Sequence, residues 1–337
     1  MSRSELTIDL GALRRNVIAL RRALDGAELW AVVKADGYGH GAVDVSRAAL
    51  EAGASALCVV TANEALELRG AFPDTRILCM GPLEAGEVAA SRDANVEIAV
   101  VGREIPEGVR AHLKVDTGMG RFGMGEVVSP TRDVVGLMSH LATADAFAQR
   151  QLERFAELTA PYRGRLVCHI ASSAAALRIP EARYDAARCG IALYGLSPSA
   201  EDPAADGLEP VLRWTSRLAQ VKLLRVGEST GYGRRFVAQQ PTWIGLVPVG
   251  YADGFRRDLT GTEVLVDGER RKVVGTISMD SFAVELEREL PVGTPVTLLG
   301  DGVRAEAHAE VAGTINYEIV AGLTSDPRRA VRKVVEA

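Results

Sequence analysis

A single lysine closes the apolar run Leu29 to Val33 and is followed at once by Ala-Asp-Gly-Tyr-Gly-His-Gly41. The apolar run reads as a buried strand, so the amine of Lys34 is expected at its mouth, where a reactant can reach it. Two chemistries suit that position. A desolvated lysine loses its charge easily and acts as a Schiff-base nucleophile. The same side chain can also simply extend its ammonium into water.

Further polar residues stand where other apolar runs finish. They are Lys114, Asp116 and the Gly-Met-Gly-Arg121 turn, then Ser139-His140, Ala171-Ser172-Ser173, and Arg188-Cys189-Gly190-Ile191. Singly, each has a plain structural reading: His140 as a core histidine, Arg188 as a surface cation, Ser173 as a helix N-cap. Together they describe a cationic mouth with hydroxyls and backbone amides suited to a phosphate.

The elements that must hold this mouth follow from the pattern of apolar runs. Up to about residue 195 there are eight: Trp30 to Val33, Leu57 to Val60, Ile77 to Met80, Val96 to Val101, Ala111 to Val115, Val134 to Met138, Leu166 to Ile170 and Ala186 to Ile191. Helix-like segments such as Val43 to Ala52 and Glu64 to Gly70 lie between several of them. Strands alternating with helices predict a parallel sheet, and eight such units predict a (β/α)8 TIM-like barrel within an α/β class, with its site at the strands' C-terminal ends. Ile105 to Gly108 and the stretch around Ser129-Pro130 leave little room for a crossover helix. From about Trp214 the texture changes to short strands and tight turns: Thr242 to Val249, Val264 to Val266, Val273 to Ile277, Phe282 to Leu286 and Val296 to Leu299. Asp267-Gly268 signals a hairpin. The expected organisation is an N-terminal strand over 1–10 joining the C-terminal domain, a barrel over 11–210, and a mostly-β domain over 211–337.

Composition removes several classes of function. The 337 residues are 47% hydrophobic and carry a net charge of -5, which offers no electrostatic footprint for nucleic acid. No apolar run reaches the roughly 18 residues that a membrane span needs. The first residues lack an apolar stretch behind a basic start, so a cytoplasmic location is expected. Cys58, Cys79, Cys168 and Cys189 are widely spaced, and the histidines lack metal-ligand spacing, so neither a disulfide framework nor a metal site is expected.

The chain resembles alanine racemase, a barrel-type family that uses pyridoxal 5'-phosphate (PLP). The resemblance rests on Ala31-Val-Val-Lys-Ala-Asp-Gly-Tyr-Gly-His-Gly41, His112-Leu-Lys-Val-Asp-Thr-Gly-Met-Gly-Arg121, Ser139-His-Leu-Ala-Thr-Ala-Asp145, Arg188-Cys-Gly-Ile-Ala-Leu-Tyr-Gly195, Gly231-Tyr232, Gly250-Tyr-Ala-Asp-Gly254, Ser278-Met-Asp280 and Ile315-Asn-Tyr-Glu318. It implies interconversion of L- and D-alanine, D-alanine supply for peptidoglycan, and a homodimer in which each site joins one barrel to the partner's β-domain. Lys34 would carry PLP and serve as one base, and Tyr232 from the other subunit would be the second. Tyr38, Ser173, Gly190, Ile191 and Tyr317 would hold the phosphate. Arg188 would face the ring nitrogen, with His140 bonded to it and assisting Tyr232. Arg121 and the amide of Met279 would hold the substrate carboxylate, while Tyr251 and Tyr317 narrow the entrance. Lys114 is carbamylated in many members; the other reading is an ammonium paired with Asp116.

Three features depart from the family pattern. The link between Arg121 and His140 is short, Ser172 stands where asparagine is common, and the ending Ser325-Asp-Pro-Arg-Arg329 differs. Related readings are a racemase of broader or serine specificity, disfavoured by Tyr251 and Tyr317, and a non-enzymatic PLP-homeostasis protein, disfavoured by the β-domain and Tyr232.

Overall fold

The computed structural model describes residues 3–324 and 326–337, so Ser325 of the unusual ending lies outside the described residues. The chain divides into two compact units: residues 13–199 with 203–209, and residues 1–12, 200–202 and 210–337. The strand β1 (Ser4–Asp9) belongs to the second of these.

The first unit holds eight parallel strands: β2 (Glu28–Val32), β3 (Ala56–Val59), β4 (Ile77–Cys79), β5 (Glu97–Val100), β6 (Ala111–Lys114), β7 (Val134–Met138), β8 (Val167–His169) and β9 (Ala186–Cys189). Their order, β8-β7-β6-β5-β4-β3-β2-β9, leaves only β8 and β9 without a ladder between them. That seam is bridged at both ends, by Asp185 N donating to Cys168 O (3.1 Å) and Arg188 N to Ala171 O (3.0 Å). The sheet is therefore an almost closed barrel, as the eight apolar runs predict. Strands β3 to β6 are buried along their whole length, the signature of a parallel sheet covered on both faces.

Helices Ala42–Glu51, Ala62–Ala71, Ala85–Asp93, Ala146–Thr159 and Ser173–Arg178 follow strand ends in this unit. The links from β5 to β6 and from β6 to β7 contain no helix, as their Pro- and Gly-containing sequences predict.

The second unit is built on a nine-stranded sheet. In addition to β1 the unit contains β10 (Leu212–Arg217), β11 (Gln220–Leu224), β12 (Ser229–Thr230), β13 (Phe236–Val237), β14 (Thr242–Val247), β15 (Glu263–Val266), β16 (Glu269–Val274), β17 (Phe282–Leu286), β18 (Pro295–Leu299) and β19 (Ala330–Val335). The large sheet runs β11-β14-β17-β16-β15-β18-β10-β1-β19, while β12 and β13 pair with each other. Strand β1 lies antiparallel to β10 and parallel to β19, so segments from both ends of the chain share one edge.

Asp267 (φ 53°) and Gly268 (φ 80°) make the two-residue turn of the β15–β16 hairpin. The strand read from sequence as Val273 to Ile277 instead spans Glu269–Val274, because its charged first half pairs with β15 across that turn. Two helices, Ala305–Ala312 and Asn316–Ala321, also belong to this unit. They are tied in by buried polar bonds, from Asn316 Nδ2 to Glu306 Oε1 (2.9 Å) and between His308 Nδ1 and Thr262 Oγ1 (2.7 Å).

Candidate active site at the mouth of the barrel

The turn that follows β2 has an unusual backbone. After Lys34, residues Ala35 (φ 52°), Asp36 (φ 50°), Gly37 (φ 61°), Tyr38 (φ 54°) and Gly39 (φ 80°) are all left-handed. Three of them carry a Cβ, and each such residue costs about 1–2 kcal/mol of backbone strain. The surroundings must supply that energy. Glu64 does part of this: its Oε1 accepts from Ala35 N (2.7 Å), and its Oε2 accepts from Val60 N and Thr61 N (3.0 Å each). Asp36 Oδ1 accepts from Ala42 N (2.8 Å), and Gly37 N donates back to Val33 O (2.9 Å). Burial would raise the Glu64 carboxyl, but these amide donors outweigh it and keep the group ionised. The sequence analysis places Glu64 only at the start of a helix-like segment; the local signal for it is the spacing Thr61-Ala-Asn-Glu64, which the structure realises as a capping box.

The turn leaves the Lys34 amine half-buried and the Tyr38 ring buried. Burial first, and then the charge of Arg121, lower the Lys34 pKa, with Glu64 partly opposing them. The amine is thus biased toward its neutral, nucleophilic form.

Tyr38 points its hydroxyl at the chain after β9. A Cβ added to Gly190 would meet that hydroxyl at 2.5 Å, so any side chain here would displace the Tyr38 ring. Ser173 Oγ accepts from Gly190 N (2.9 Å) and Ala192 N (3.4 Å). Ser173 is therefore the first residue of its helix, with Ser172 in the cap position, and its hydroxyl ties that helix to the Gly190–Ile191 turn. The Ile191 amide starts a 3-10 turn and has no acceptor within it. Two hydroxyls and backbone amides converge here, a set of donors that suits a phosphate.

Cations dominate the rest of the mouth. Arg188 is 4% exposed and is no surface cation. Its Nη1 donates to His169 Nδ1 (2.5 Å) and His169 O (3.1 Å), and its Nη2 to Ser139 O (2.7 Å) and His140 Nδ1 (3.3 Å). Burial lowers its pKa to about 10, which leaves it charged at neutral pH. Burial and then Arg188, Arg121 and the two lysines push His140 down to about 3, so the imidazole is neutral.

Lys114 is buried, with its amine 5.8 Å from the Phe122 ring centre. Burial, Arg188 and Arg121 lower its pKa to about 8. Among the described residues no carboxylate pairs with it. Asp116 instead accepts from the amides of Gly118 (2.9 Å) and Gly120 (3.0 Å), which shapes the turn that presents exposed Arg121.

Tyr232, Tyr251, Met279 and Tyr317 lie on the other unit. Tyr232 is 73% exposed, and its carbonyl accepts from Thr276 Oγ1 (2.7 Å). The Tyr251 and Met279 loops are locked together: Tyr251 N donates to Ser278 O (3.1 Å), Ala252 N to Met279 O (3.0 Å), and Arg329 bridges Asp253 (2.8 Å) and Asp280 (2.7 Å). Arg329, from the ending that departs from the family pattern, thus anchors both loops. Tyr251 and Glu318, the neighbour of half-buried Tyr317, line a cleft of about 520 Å³.

Comparison with known proteins shows the family. Residues 8–198 match the family model "Alanine racemase, N-terminal domain", and residues 211–331 match "Alanine racemase, C-terminal domain". Alanine racemase 1 of Bacillus subtilis (strain 168) is 42% identical over 350 residues, covering 94% of this chain and 90% of that protein. The alanine racemase of Streptomyces coelicolor is 42% identical over 368 residues, covering 96% and 94%. The solved alanine racemase structure from Streptomyces coelicolor A3(2) superposes with a TM-score of 0.90 at 39% identity, over 99% of this chain and 98% of that one. With both family models matched in order and relatives alike over nearly their full length, the chain belongs to the alanine racemase family.

Proposed function

We propose that this protein interconverts L- and D-alanine as a PLP-dependent homodimer in the cytoplasm, supplying D-alanine for peptidoglycan. The observation that carries this reading is the convergence, at one barrel mouth, of a lysine with a depressed pKa, hydroxyls and amides suited to a phosphate, and a buried arginine. The residues fit PLP: the absence of a Cβ at Gly190 lets the Tyr38 hydroxyl come close to the Ser173–Gly190 turn, and Tyr38, Ser173, Gly190, Ile191 and Tyr317 would hold the phosphate. No helix among the described residues is long and apolar enough to cross a membrane.

When bound, PLP supplies an electron-withdrawing ring that acidifies the Cα–H of an amino acid. Lys34 would hold it and then, as a neutral amine, take or return the proton on one face. Tyr232 of a second copy would serve the other face. His140 Nδ1 accepts from Arg188, so its proton sits on Nε2, from which it would donate to the Tyr232 oxygen.

Both terminal nitrogens of Arg188 are tied back, so its Nε–H would be the donor to the ring nitrogen, and a guanidinium would make that bond without giving up its proton. Arg121 and the Met279 amide would hold the substrate carboxylate. A neutral Lys114 amine can add carbon dioxide and release a proton, giving a carbamate anion that would orient Arg121. Tyr251 and Tyr317 narrow the entrance to a side chain of alanine's size.

A chiral assay against a panel of L-amino acids should show alanine as the preferred substrate. Borohydride reduction of the PLP-loaded protein should put the label on Lys34. A label on another lysine, or racemisation of larger amino acids in preference to alanine, overturns the proposal.

A further inference from the structure

Barrel interiors are ordinarily filled with aliphatic side chains, but this one carries a line of polar groups. Glu97 on β5, His112 on β6, His169 on β8 and Arg188 on β9 are each 5% exposed or less. Arg188 Nη1 meets His169 Nδ1 at 2.5 Å, His169 Nε2 meets His112 Nδ1 at 2.9 Å, and His112 Nε2 meets Glu97 Oε2 at 2.9 Å. The other carboxylate oxygen accepts from Arg110 Nε (2.9 Å) and faces Arg76 Nε (3.4 Å).

We propose that Glu97, acting through His112 and His169, is a positioning residue for Arg188. The chain of hydrogen bonds fixes the guanidinium and leaves its Nε–H as the donor to the pocket.

Donor chemistry gives this chain a single direction. A guanidinium has no acceptor, so His169 Nδ1 must present its lone pair. Its proton is then on Nε2, which donates to His112 Nδ1. The His112 proton is on Nε2 in turn, and it donates to an ionised Glu97. A cationic ring, or a protonated Glu97, would set two donors against each other somewhere along the line. Trp30 packs against both rings, at 4.6 Å from His169 and 5.7 Å from His112, and excludes water from them.

The pKa directions agree. Burial lowers both histidines, and the His112 bond and neighbouring arginines outweigh burial to lower Glu97. A buried ionic line of this kind is costly to desolvate, and an aliphatic core would fill the space as well, so its presence is accounted for by a task at its end.

The inference rests on reading Arg188 as the group facing the cofactor's ring nitrogen. Proton–nitrogen correlation spectra of histidine-labelled apoprotein test the chain of donors whether or not that reading holds. Both rings should carry their proton on Nε2, and neither should titrate between about pH 6 and about pH 9. The charged and titratable groups facing them are Glu97, Arg76 and Arg188.

Glu97→Gln puts an amide that can also donate beside His112. It should populate a second tautomer at both rings, shift the visible absorbance of PLP-loaded enzyme and lower kcat about tenfold. A wild-type ring that is cationic or protonated on Nδ1 overturns the proposal, and so does a Glu97→Gln enzyme whose His169 tautomer and absorbance are unchanged. The wild-type spectra are decisive even where the variant fails to fold. Absence of any PLP absorbance in wild-type protein would instead refute the cofactor reading alone.

Discussion

At the scale of single residues, the site works through proton positions set by neighbours. The two proposed bases would act on opposite faces of one carbon, so each enantiomer would present its Cα–H to one of them. Tyr232→Phe should therefore abolish solvent-deuterium exchange of the L-alanine α-proton while exchange from D-alanine through Lys34 persists in part, as followed by NMR for each enantiomer. Equal loss of both would mean that Tyr232 has no base role. Lys114 gives a second prediction. Its folded pKa of about 8 lies below the ordinary 10.5, so between those values the unfolded chain binds more protons than the folded one. Stability should rise with pH through that window in carbonate-free buffer. Urea unfolding at both ends of it should show a smaller rise for Lys114→Met, which cannot titrate there.

At the scale of elements, the left-handed turn after β2 is the feature that presents both Lys34 and Tyr38. It is held in part by Glu64, on the helix Ala62–Ala71 that follows β3, whose Oε1 accepts from Ala35 N in the turn while Oε2 accepts from Val60 N and Thr61 N at the start of its own helix. Glu64→Gln loses the charge that strengthens those bonds and should destabilise the protein by about 2 kcal/mol in denaturant unfolding. It should also slow PLP loading, because the turn would no longer be held in its strained form. A variant with wild-type stability and loading would show that the turn is held by its other contacts, at Asp36 and Gly37.

At the scale of the whole molecule, the proposed bases lie on different compact units, Lys34 on the barrel and Tyr232 on the sheet-rich unit. A homodimer would unite them by pairing one copy's Lys34 with the other copy's Tyr232. Lys34→Ala and Tyr232→Phe chains, each nearly inactive alone, should regain activity when mixed under subunit exchange, approaching one intact site per heterodimer. Heterodimers that form without activity would refute the shared site.

Much of this was legible in the sequence, for local reasons. Each barrel strand falls on a short, mainly apolar run, even where a polar residue such as Glu97 or His112 is set within it, and the Asp267-Gly268 turn needs only two residues that tolerate positive φ. The order of polar residues after the apolar runs likewise located the barrel mouth, and the motifs around them carried the family. Other features depend on residues far apart in the chain and were decided only by tertiary structure. Strands β10 and β11 mix apolar and charged residues over only five or six positions and form because partners are present, as does the edge that pairs β1 with β19. The left-handed path through Ala35, Asp36 and Tyr38 runs against their local preference and is sustained by a carboxylate from another helix. The line from Glu97 to Arg188 joins four strands, so its hydrogen bonds exist only where the register of parallel strands and the closing of the barrel bring those side chains together. Local pattern determines which residues can face the interior; barrel closure decides which of them meet.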